Sequence, residues 1–192
     1  MNYPNGLKKK IIIRNDTSTS HKNRGMTLES EINISNEYYR EIDKAYIYKK
    51  PTPIKITKVD YPSRDKTIIK EAFFTVPSTT DYNGIYKGKY IDFEAKETRS
   101  KTSFPLVNIH EHQLKHLDAI VKHGGIGFII VRFVTLDKTF VLMWEDIKNF
   151  IVDDTRKSIP LSYFEEKGIL IPLSLRPRVD YLKCIEVMYE EC

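Results

Sequence analysis

Apolar residues recur at helical spacing in the first element that the sequence predicts. Thr27 can cap the N-terminus of a helix, and Pro51 and Pro53 end any helix that begins there. Alternation of apolar and polar residues then predicts strands over residues 54–59 and 67–76, separated by a polar, turn-like stretch. One face of the predicted helix carries Leu28, Ile32, Tyr39, Ile42 and Tyr46.

The most regular pattern is the strict alternation over residues 89–98, which is typical of a strand. Residues 77–88 before it are rich in turn residues and include Asn83-Gly84, a pair that favours a tight hairpin turn. One face of the predicted strand carries Ile91, Phe93 and Ala95, and the opposite face carries Tyr90, Asp92, Glu94 and Lys96. The pattern therefore predicts a strand with one apolar and one polar face.

The C-terminal half contains both helical and strand patterns. A helix is predicted over residues 110–123, with Gly124 at the position of a C-terminal cap. Residues 1–24 are polar and basic and are interpreted as a flexible arm. The remaining residues 25–192 predict one domain, a mixed α/β sheet covered by helices. Its other predicted elements are strands over 126–134 and 139–144 and helices near 145–151, 161–167 and 179–189.

Composition is compatible with a protein that binds a polyanion. The 192 residues include 31 Lys and Arg against 26 Asp and Glu, a net charge of +5. Proteins with such a balance often bind nucleic acid, but mild basicity that only aids solubility is the other interpretation. The two cysteines fit no metal or redox spacing, which is typical of a reducing cytosol. No apolar run is long enough for a signal peptide or a membrane span, so we expect a cytoplasmic protein without membrane contact.

Asp81 and the Glu94-Ala95-Lys96 segment are the candidate catalytic residues. Strand alternation places Glu94 and Lys96 on one face, and a hairpin ahead of this strand would bring Asp81 back beside Glu94. Two carboxylates are the typical protein contribution to a Mg²⁺ site, and an ammonium group can stabilise the charge that develops on phosphate. The pattern resembles that of the PD-(D/E)XK nuclease superfamily, although a solvated strand face is the other interpretation.

Longer motifs resemble those of the RecU family of Holliday-junction resolvases and run from residue 23 almost to the C-terminus. They are NRGMTLE at 23–29, KPTP at 50–53, STTDYNGIYKG at 78–88, YIDFEAKET at 90–98, KTSFPL at 101–106, His112-Gln113 and PRVDY at 177–181. The resemblance implies a restriction-endonuclease-like mixed sheet flanked by helices, with a protruding stalk inserted at about residues 59–78. It also implies a nucleoid-associated homodimer that cuts four-way DNA junctions by symmetric nicks in recombination and DNA repair.

The resemblance further implies the site residues and cofactor. Mg²⁺, with Mn²⁺ as a substitute, would be held at Thr79, Asp81, Glu94 and Gln113, with Lys96 as the catalytic cation and Glu29 as an accessory group. It also implies modulation of the RecA recombinase. The residues implied to contact DNA are Arg24 in the arm and, in the stalk, Arg64, Lys66, Lys70, Phe73 and Phe74.

Three alternatives stay open from the sequence. The chain could be another PD-(D/E)XK nuclease that acts on duplex DNA, or a largely non-catalytic junction-binding protein. Phe73 and Phe74 could be one buried and one exposed strand residue, as adjacent strand positions usually are. The aromatic segments Tyr38-Tyr39 and Tyr46-Ile47-Tyr48 could form dimer contacts or pack in the core.

Overall fold

A six-stranded mixed sheet with helices on both faces forms the body of the protein. The computed structural model describes residues 26–75, 79–152, 156–172 and 174–189. The helices are α1 (Leu28–Glu41), α2 (Glu111–Lys122), α3 (Trp144–Ile151), α4 (Leu161–Lys167) and α5 (Tyr181–Tyr189). The strands are β1 (Tyr46–Lys49), β2 (Ile54–Ser63), β3 (Lys66–Phe74), β4 (Tyr82–Tyr86), β5 (Lys89–Thr98), β6 (Ser103–Pro105), β7 (Ile126–Phe133), β8 (Lys138–Met143), β9 (Ser158–Pro160) and β10 (Ile169–Ile171).

The strand order in the main sheet is β1-β4-β5-β7-β8-β10. Strands β5 and β7 pair in parallel, with α2 as the crossover between them, and the other pairs are antiparallel. Helices α1 and α5 cover one face in a core that includes Phe93 and Phe128, and α2, α3 and α4 cover the other in a core that includes Ile129 and Val131. The expected mixed sheet flanked by helices is therefore confirmed.

The first helix is shorter than the sequence predicts. Thr27 caps it as expected, because its side chain accepts a hydrogen bond from Ser30 N–H, but α1 ends at Glu41. The prediction that Ile42 and Tyr46 lie on its buried face is wrong, since both are exposed and Tyr46 belongs to β1. Strand β1 pairs with β4, a partner remote in sequence, which local periodicity does not reveal.

The tight turn of the β4–β5 hairpin lies at Lys87-Gly88, and its prediction at Asn83-Gly84 is wrong. Both turn residues have positive φ, 47° and 75°, as a type I′ turn requires. Asn83-Gly84 lies inside β4. A Cβ on Gly84 would come within 2.2 Å of Tyr46 O, so glycine permits the close approach of β1 rather than a turn.

Strands β2 and β3 form a separate two-stranded sheet, here called the exposed hairpin (Ile54–Phe74). Its turn contains Arg64 and Asp65, and every residue of both strands except Val59 is exposed. Phe73 and Phe74 are 62% and 82% exposed, so the interpretation of one buried and one exposed phenylalanine is wrong. The exposed hairpin begins at Ile54, ahead of the boundary expected for the stalk.

The remaining predicted elements agree with the structure. Helices α2 to α5 and strands β7 and β8 lie where the patterns predict them, and Gly124 follows α2 with a φ of 85°. The short strands β6, β9 and β10 were not predicted. The arm at residues 1–24, including Arg24, lies outside the described residues. Within the described ranges, no helix is long and apolar enough to cross a bilayer.

Candidate active site

Asp81 and Glu94 meet at the end of the β4–β5 ladder. Tyr82 pairs with Phe93, so the residues just beyond, Asp81 and Glu94, lie opposite each other. Asp81 N–H donates a hydrogen bond to Glu94 Oε2 at 3.0 Å, and Lys50 N–H on the other side donates to Asp81 O at 2.8 Å. The backbone of Asp81 is therefore held on one side by the Glu94 side chain and on the other by the backbone of Lys50.

Lys96 completes the cluster from the next position on the same strand face. Its Nζ lies 2.6 Å from Glu94 Oε1. Glu94 is 0% exposed and shares its face with Ile129 of the parallel partner strand, on the α2 side, whereas the Lys96 side chain is 24% exposed. Glu94 thus lies at the solvent-excluded bottom of the site, and the site opens to solvent at Lys96 and the half-buried Asp81.

The surroundings of Glu94 oppose its ionisation. Burial is the largest cause and raises the pKa of Glu94 to about 7, above its ordinary value of 4.5. The adjacent ammonium group of Lys96 lowers this pKa, and the adjacent carboxyl group of Asp81 raises it. Two carboxylates side by side repel each other when both are ionised, and a bound cation would relieve that repulsion.

The donor set fits a hard divalent cation. Glu94 Oε1 accepts no hydrogen bond of good geometry although Lys96 Nζ is close, so this buried oxygen has capacity for another ligand. Mg²⁺ typically takes one or two carboxylates and keeps water or substrate oxygens in its other positions. Among the described residues there is no group of three or more His, Cys, Asp or Glu that could hold a metal ion. Asp81 and Glu94 therefore suit Mg²⁺ or Mn²⁺ better than zinc, which prefers nitrogen and sulfur ligands.

Glu94→Gln is expected to stabilise the metal-free protein at pH 8 more than at pH 5. The folded-state pKa of Glu94, about 7, lies above its ordinary value of 4.5, so folding becomes less favourable as pH rises between these values. Removing that penalty should add on the order of 2 kcal/mol at pH 8, a gain of about 4–8 °C in Tm. Thermal melts in EDTA at both pH values measure the difference.

Glu165→Gln is the matched control for this prediction, since Glu165 is an exposed glutamate that pairs with Lys138. It should give no comparable gain at pH 8. The same Tm change at both pH values in Glu94→Gln would contradict a raised pKa for Glu94 in the folded protein. Mg²⁺ should raise the Tm of the wild-type protein at pH 8 but not that of Glu94→Gln.

Thr79 and Gln113, the other metal positions that the resemblance implies, use their polar atoms elsewhere. Gln113 is buried, and its Oε1 accepts a hydrogen bond from His110 N–H at 3.0 Å as part of the cap of α2. The Thr79 hydroxyl donates to Thr80 O at 3.3 Å. The structure therefore brings Asp81, Glu94 and Lys96 together, and the roles of Thr79 and Gln113 stay predictions.

Glu29 lies near the cluster but on the other face of the sheet. It is exposed at the start of α1, where Lys49 Nζ lies 2.6 Å from its Oε1. The Tyr82 hydroxyl donates to Glu29 O at 3.3 Å. Burial, then the charges of Glu29, Asp81 and Glu94, raise the Tyr82 pKa. The charge of Glu29 thus affects the same tyrosine as the charges of the two candidate ligands, which is compatible with the accessory role.

Asp92 lies two residues before Glu94, and the sequence did not reveal its burial or its contacts. Alternation placed it on the face of Glu94, but a charged residue on a polar strand face is ordinarily exposed, whereas Asp92 is fully buried. Its carboxylate accepts hydrogen bonds from Lys50 Nζ at 2.7 Å and Tyr90 Oη at 3.0 Å and from the Thr80 hydroxyl. His116 Nε2 lies 3.1 Å from Asp92 Oδ2.

The residues implied to contact DNA, apart from Arg24, lie on the exposed hairpin. Arg64 is in its turn, Lys66 begins β3, and Lys70 makes a loose ion pair with Asp60 at 3.6 Å. All three basic side chains are exposed. The segment carries five basic and three acidic residues, so an excess of positive charge accompanies its two exposed phenylalanines. This surface suits phosphate contacts and base stacking.

Comparisons with known proteins identify the family. The family model of Recombination protein U (RecU) matches residues 23–187. The chain is 51% identical over 177 residues to the Holliday junction resolvase RecU of Geobacillus sp. (strain WCH70), covering 88% of this chain and 86% of that protein. It is 50% identical over 196 residues to the protein of the same name from Staphylococcus carnosus (strain TM300), covering 96% and 94%.

Another relative named Holliday junction resolvase RecU, from Oceanobacillus iheyensis, is 47% identical over 195 residues, covering 98% of this chain and 100% of that protein. A solved structure of Hjc, a Holliday junction resolvase from Archaeoglobus fulgidus, matches with a TM-score of 0.41 and 9% identity, covering 73% of this chain and 95% of Hjc. The family match spans most of the chain and includes Asp81, Glu94 and Lys96. This chain therefore belongs to the RecU family.

Proposed function

We propose that this protein is a Mg²⁺-dependent endodeoxyribonuclease that resolves Holliday junctions by symmetric nicks. The observation that carries the proposal is the contact of Asp81, Glu94 and Lys96 at the end of the β4–β5 ladder. The relatives at about 50% identity that are named Holliday junction resolvase support the substrate. Roles in recombination and DNA repair, in the cytoplasm at the nucleoid, follow from that substrate.

Asp81 and Glu94 would hold the metal ion in the proposed mechanism. When bound, Mg²⁺ supplies Lewis-acid activation of the scissile phosphate and of the attacking water. Because Glu94 is buried and fixed by Asp81 N–H, the carboxylate needs little reorganisation to act as a ligand. Mn²⁺ has the same preference for oxygen ligands and should substitute.

Lys96 would contribute the positive charge that the reacting phosphate needs. Its Nζ is held by Glu94 Oε1 at one end of the site and is partly open to solvent, so it can reach a phosphate placed over the two carboxylates. There it would donate hydrogen bonds to a phosphate oxygen and orient the attacking water. An ammonium group in a site that partly excludes solvent stabilises developing negative charge more than it would in bulk water.

A two-fold dimer would supply the second cut. A four-way junction has near two-fold symmetry, and a C2 dimer places identical active sites on opposed strands. Tyr46 and Tyr48 lie exposed at the edge of the sheet with Ile85 beside Tyr46 on β4, which favours this surface for association. Tyr39 and Ile47, in contrast, are fully buried and pack in the core. Sedimentation equilibrium should report a dimer.

The test is incubation of the protein with a synthetic mobile four-way junction, with Mg²⁺ or with EDTA. Nicks mapped on all four strands should appear in pairs on opposed strands and only with Mg²⁺. A linear duplex of the same sequence is the control and should remain intact. Cleavage of the duplex at an equal rate would favour another PD-(D/E)XK nuclease. Tight binding of the junction without any nick would favour a non-catalytic junction-binding protein.

Replacing both Arg64 and Lys70 with glutamine is expected to weaken junction binding and to reduce its dependence on salt. Each lost phosphate contact should lower the slope of log affinity against log salt concentration by about one. Binding measured in EDTA at several salt concentrations gives this slope without cleavage. Lys167→Gln on α4, which is not part of the exposed hairpin, is the control. An unchanged slope in the double variant would remove these residues from the DNA interface.

The resemblance extends the proposal to modulation of the RecA recombinase. The large exposed surface of the hairpin is compatible with a protein contact as well as a DNA contact. RecA filament ATPase rates measured with and without this protein, and with the Asp81→Asn variant, would separate such an effect from cleavage.

A further inference from the structure

Asp92 is the common partner of residues from every segment that carries a candidate metal ligand. Thr80 precedes Asp81 directly, and its hydroxyl donates to Asp92 Oδ1. His116 lies three residues after Gln113 on α2, and its Nε2 is 3.1 Å from Asp92 Oδ2. Asp92 itself is two residues before Glu94 on the same face of β5. The segments that hold the proposed ligands therefore meet at one carboxylate.

Lys50, the residue directly after β1, joins the same group. Its Nζ lies 2.7 Å from Asp92 Oδ2 and donates a hydrogen bond to the Thr80 hydroxyl at 3.0 Å. Its own backbone N–H donates to Asp81 O. The backbone of Lys50 holds Asp81, and the side chains of Lys50 and Asp92 hold Thr80. None of these contacts uses the Asp81 carboxylate, which can therefore serve as a metal ligand.

We propose that Asp92 is a positioning residue, which holds Asp81 against Glu94 through Thr80 and Lys50 and so sets the affinity of the site for a divalent cation. This inference rests on the proposed function, since it concerns the same metal site. Groups that orient metal ligands typically change metal affinity 10–100-fold when they are replaced, because the ligands lose their arrangement before the ion binds.

The geometry favours positioning over simple stabilisation of the fold. A fully buried carboxylate is costly to desolvate, and its four polar partners could be replaced by apolar packing if stability were the only requirement. Two members of the group, Asp92 and Lys50, instead bond to the segment from Thr80 to Asp81, which precedes β4. Without side-chain contacts, that segment would be held by backbone pairing alone.

The test compares Thr80→Val with Thr80→Ser. Valine has nearly the shape of threonine but lacks the hydroxyl that joins Asp92 and Lys50, and serine retains it. Two readouts are used: the Mg²⁺ concentration that gives half of the maximal rise in Tm for the protein alone, and the Mg²⁺ concentration for half-maximal junction cleavage. Thr80→Val should raise both by about 10–100-fold, with kcat largely restored at saturating Mg²⁺. Thr80→Ser should remain close to wild type.

Glu31→Gln controls for a loss of stability without a change at the site. Glu31 is a carboxylate in a mostly buried ion pair with Arg132 on the opposite face of the sheet. The variant should lower Tm without changing either Mg²⁺ concentration. Asp92→Asn keeps the volume of Asp92. In folded Asp92→Asn protein, both Mg²⁺ concentrations should rise, as they do in Thr80→Val.

The proposal is overturned if Thr80→Val lowers Tm but keeps the wild-type Mg²⁺ dependence. It is also overturned if Thr80→Ser behaves like Thr80→Val, because the hydroxyl would then not be responsible. Failure of the proposed function gives a different result: the wild-type protein itself would show neither a Mg²⁺-dependent rise in Tm nor cleavage, which would overturn both.

Discussion

Asp81→Asn is expected to slow cleavage of a four-way junction by about 10³-fold or more while junction binding stays close to that of the wild type. The change removes one carboxylate from the proposed metal site, and a metal ion contributes several kcal/mol of transition-state stabilisation. Asparagine has the same shape and leaves the backbone hydrogen bonds of residue 81 in place. Single-turnover cleavage rates in Mg²⁺ and junction affinity in EDTA measure the two effects separately.

Asp137→Asn is the matched control for this change. Asp137 is an exposed carboxylate in the turn between β7 and β8, with a φ of 51° that asparagine also tolerates. Its rate should equal that of the wild type. Normal cleavage by Asp81→Asn would show that the active site is elsewhere, and equal losses of binding and cleavage would indicate a role in holding DNA rather than a metal ion.

Lys96→Gln is expected to slow cleavage at saturating Mg²⁺ by about 10²–10³-fold, the usual loss when a donor to the transition state is removed. It should also shift the pH dependence. Lys96 lowers the pKa of Glu94, so its removal raises that pKa and leaves more of the carboxyl protonated near neutral pH. Rates measured from pH 6 to pH 9 at sub-saturating Mg²⁺, where protons and the metal ion compete for Glu94, should therefore recover partly as pH rises.

Lys115→Gln, at a mostly exposed lysine of α2, is the control for loss of a positive charge. It should leave both the rate and the pH profile unchanged. If Lys96→Gln lowers only junction affinity, Lys96 is a DNA-binding residue and not a catalytic one. If the rate falls equally at every pH, the electrostatic link between Lys96 and Glu94 is not part of catalysis.

Local sequence signals were sufficient for the elements whose stabilising contacts are local or strongly periodic. The alternation over β5 placed Glu94 and Lys96 on one face, and the structure has them in contact. The same alternation could not show that Asp92 and Glu94 on this polar face are buried, because their cover comes from α2, which lies outside the strand whose pattern was read. Burial of Glu94 and Asp92 is a consequence of tertiary packing.

Errors arose where a remote partner decides the local conformation. Strand β1 was predicted as the end of a helix because its apolar positions fit both spacings, and only pairing with β4 selects the strand. Asn83-Gly84 has the composition of a turn, but the close approach of β1 uses the glycine inside a strand. The contacts of Asp92 come from Lys50, Thr80 and His116, which no local pattern connects.

The two ends of the exposed hairpin lie one hydrogen bond apart, since Thr75 N–H donates to Pro53 O at 3.1 Å. A short loop could therefore join them without moving the strands of the main sheet. Every residue of the hairpin's two strands except Val59 is exposed. Its length and tip are thus free to diverge among relatives at little cost to folding. Selection on this segment should come mainly from what it touches, so it is a natural place to re-engineer substrate preference.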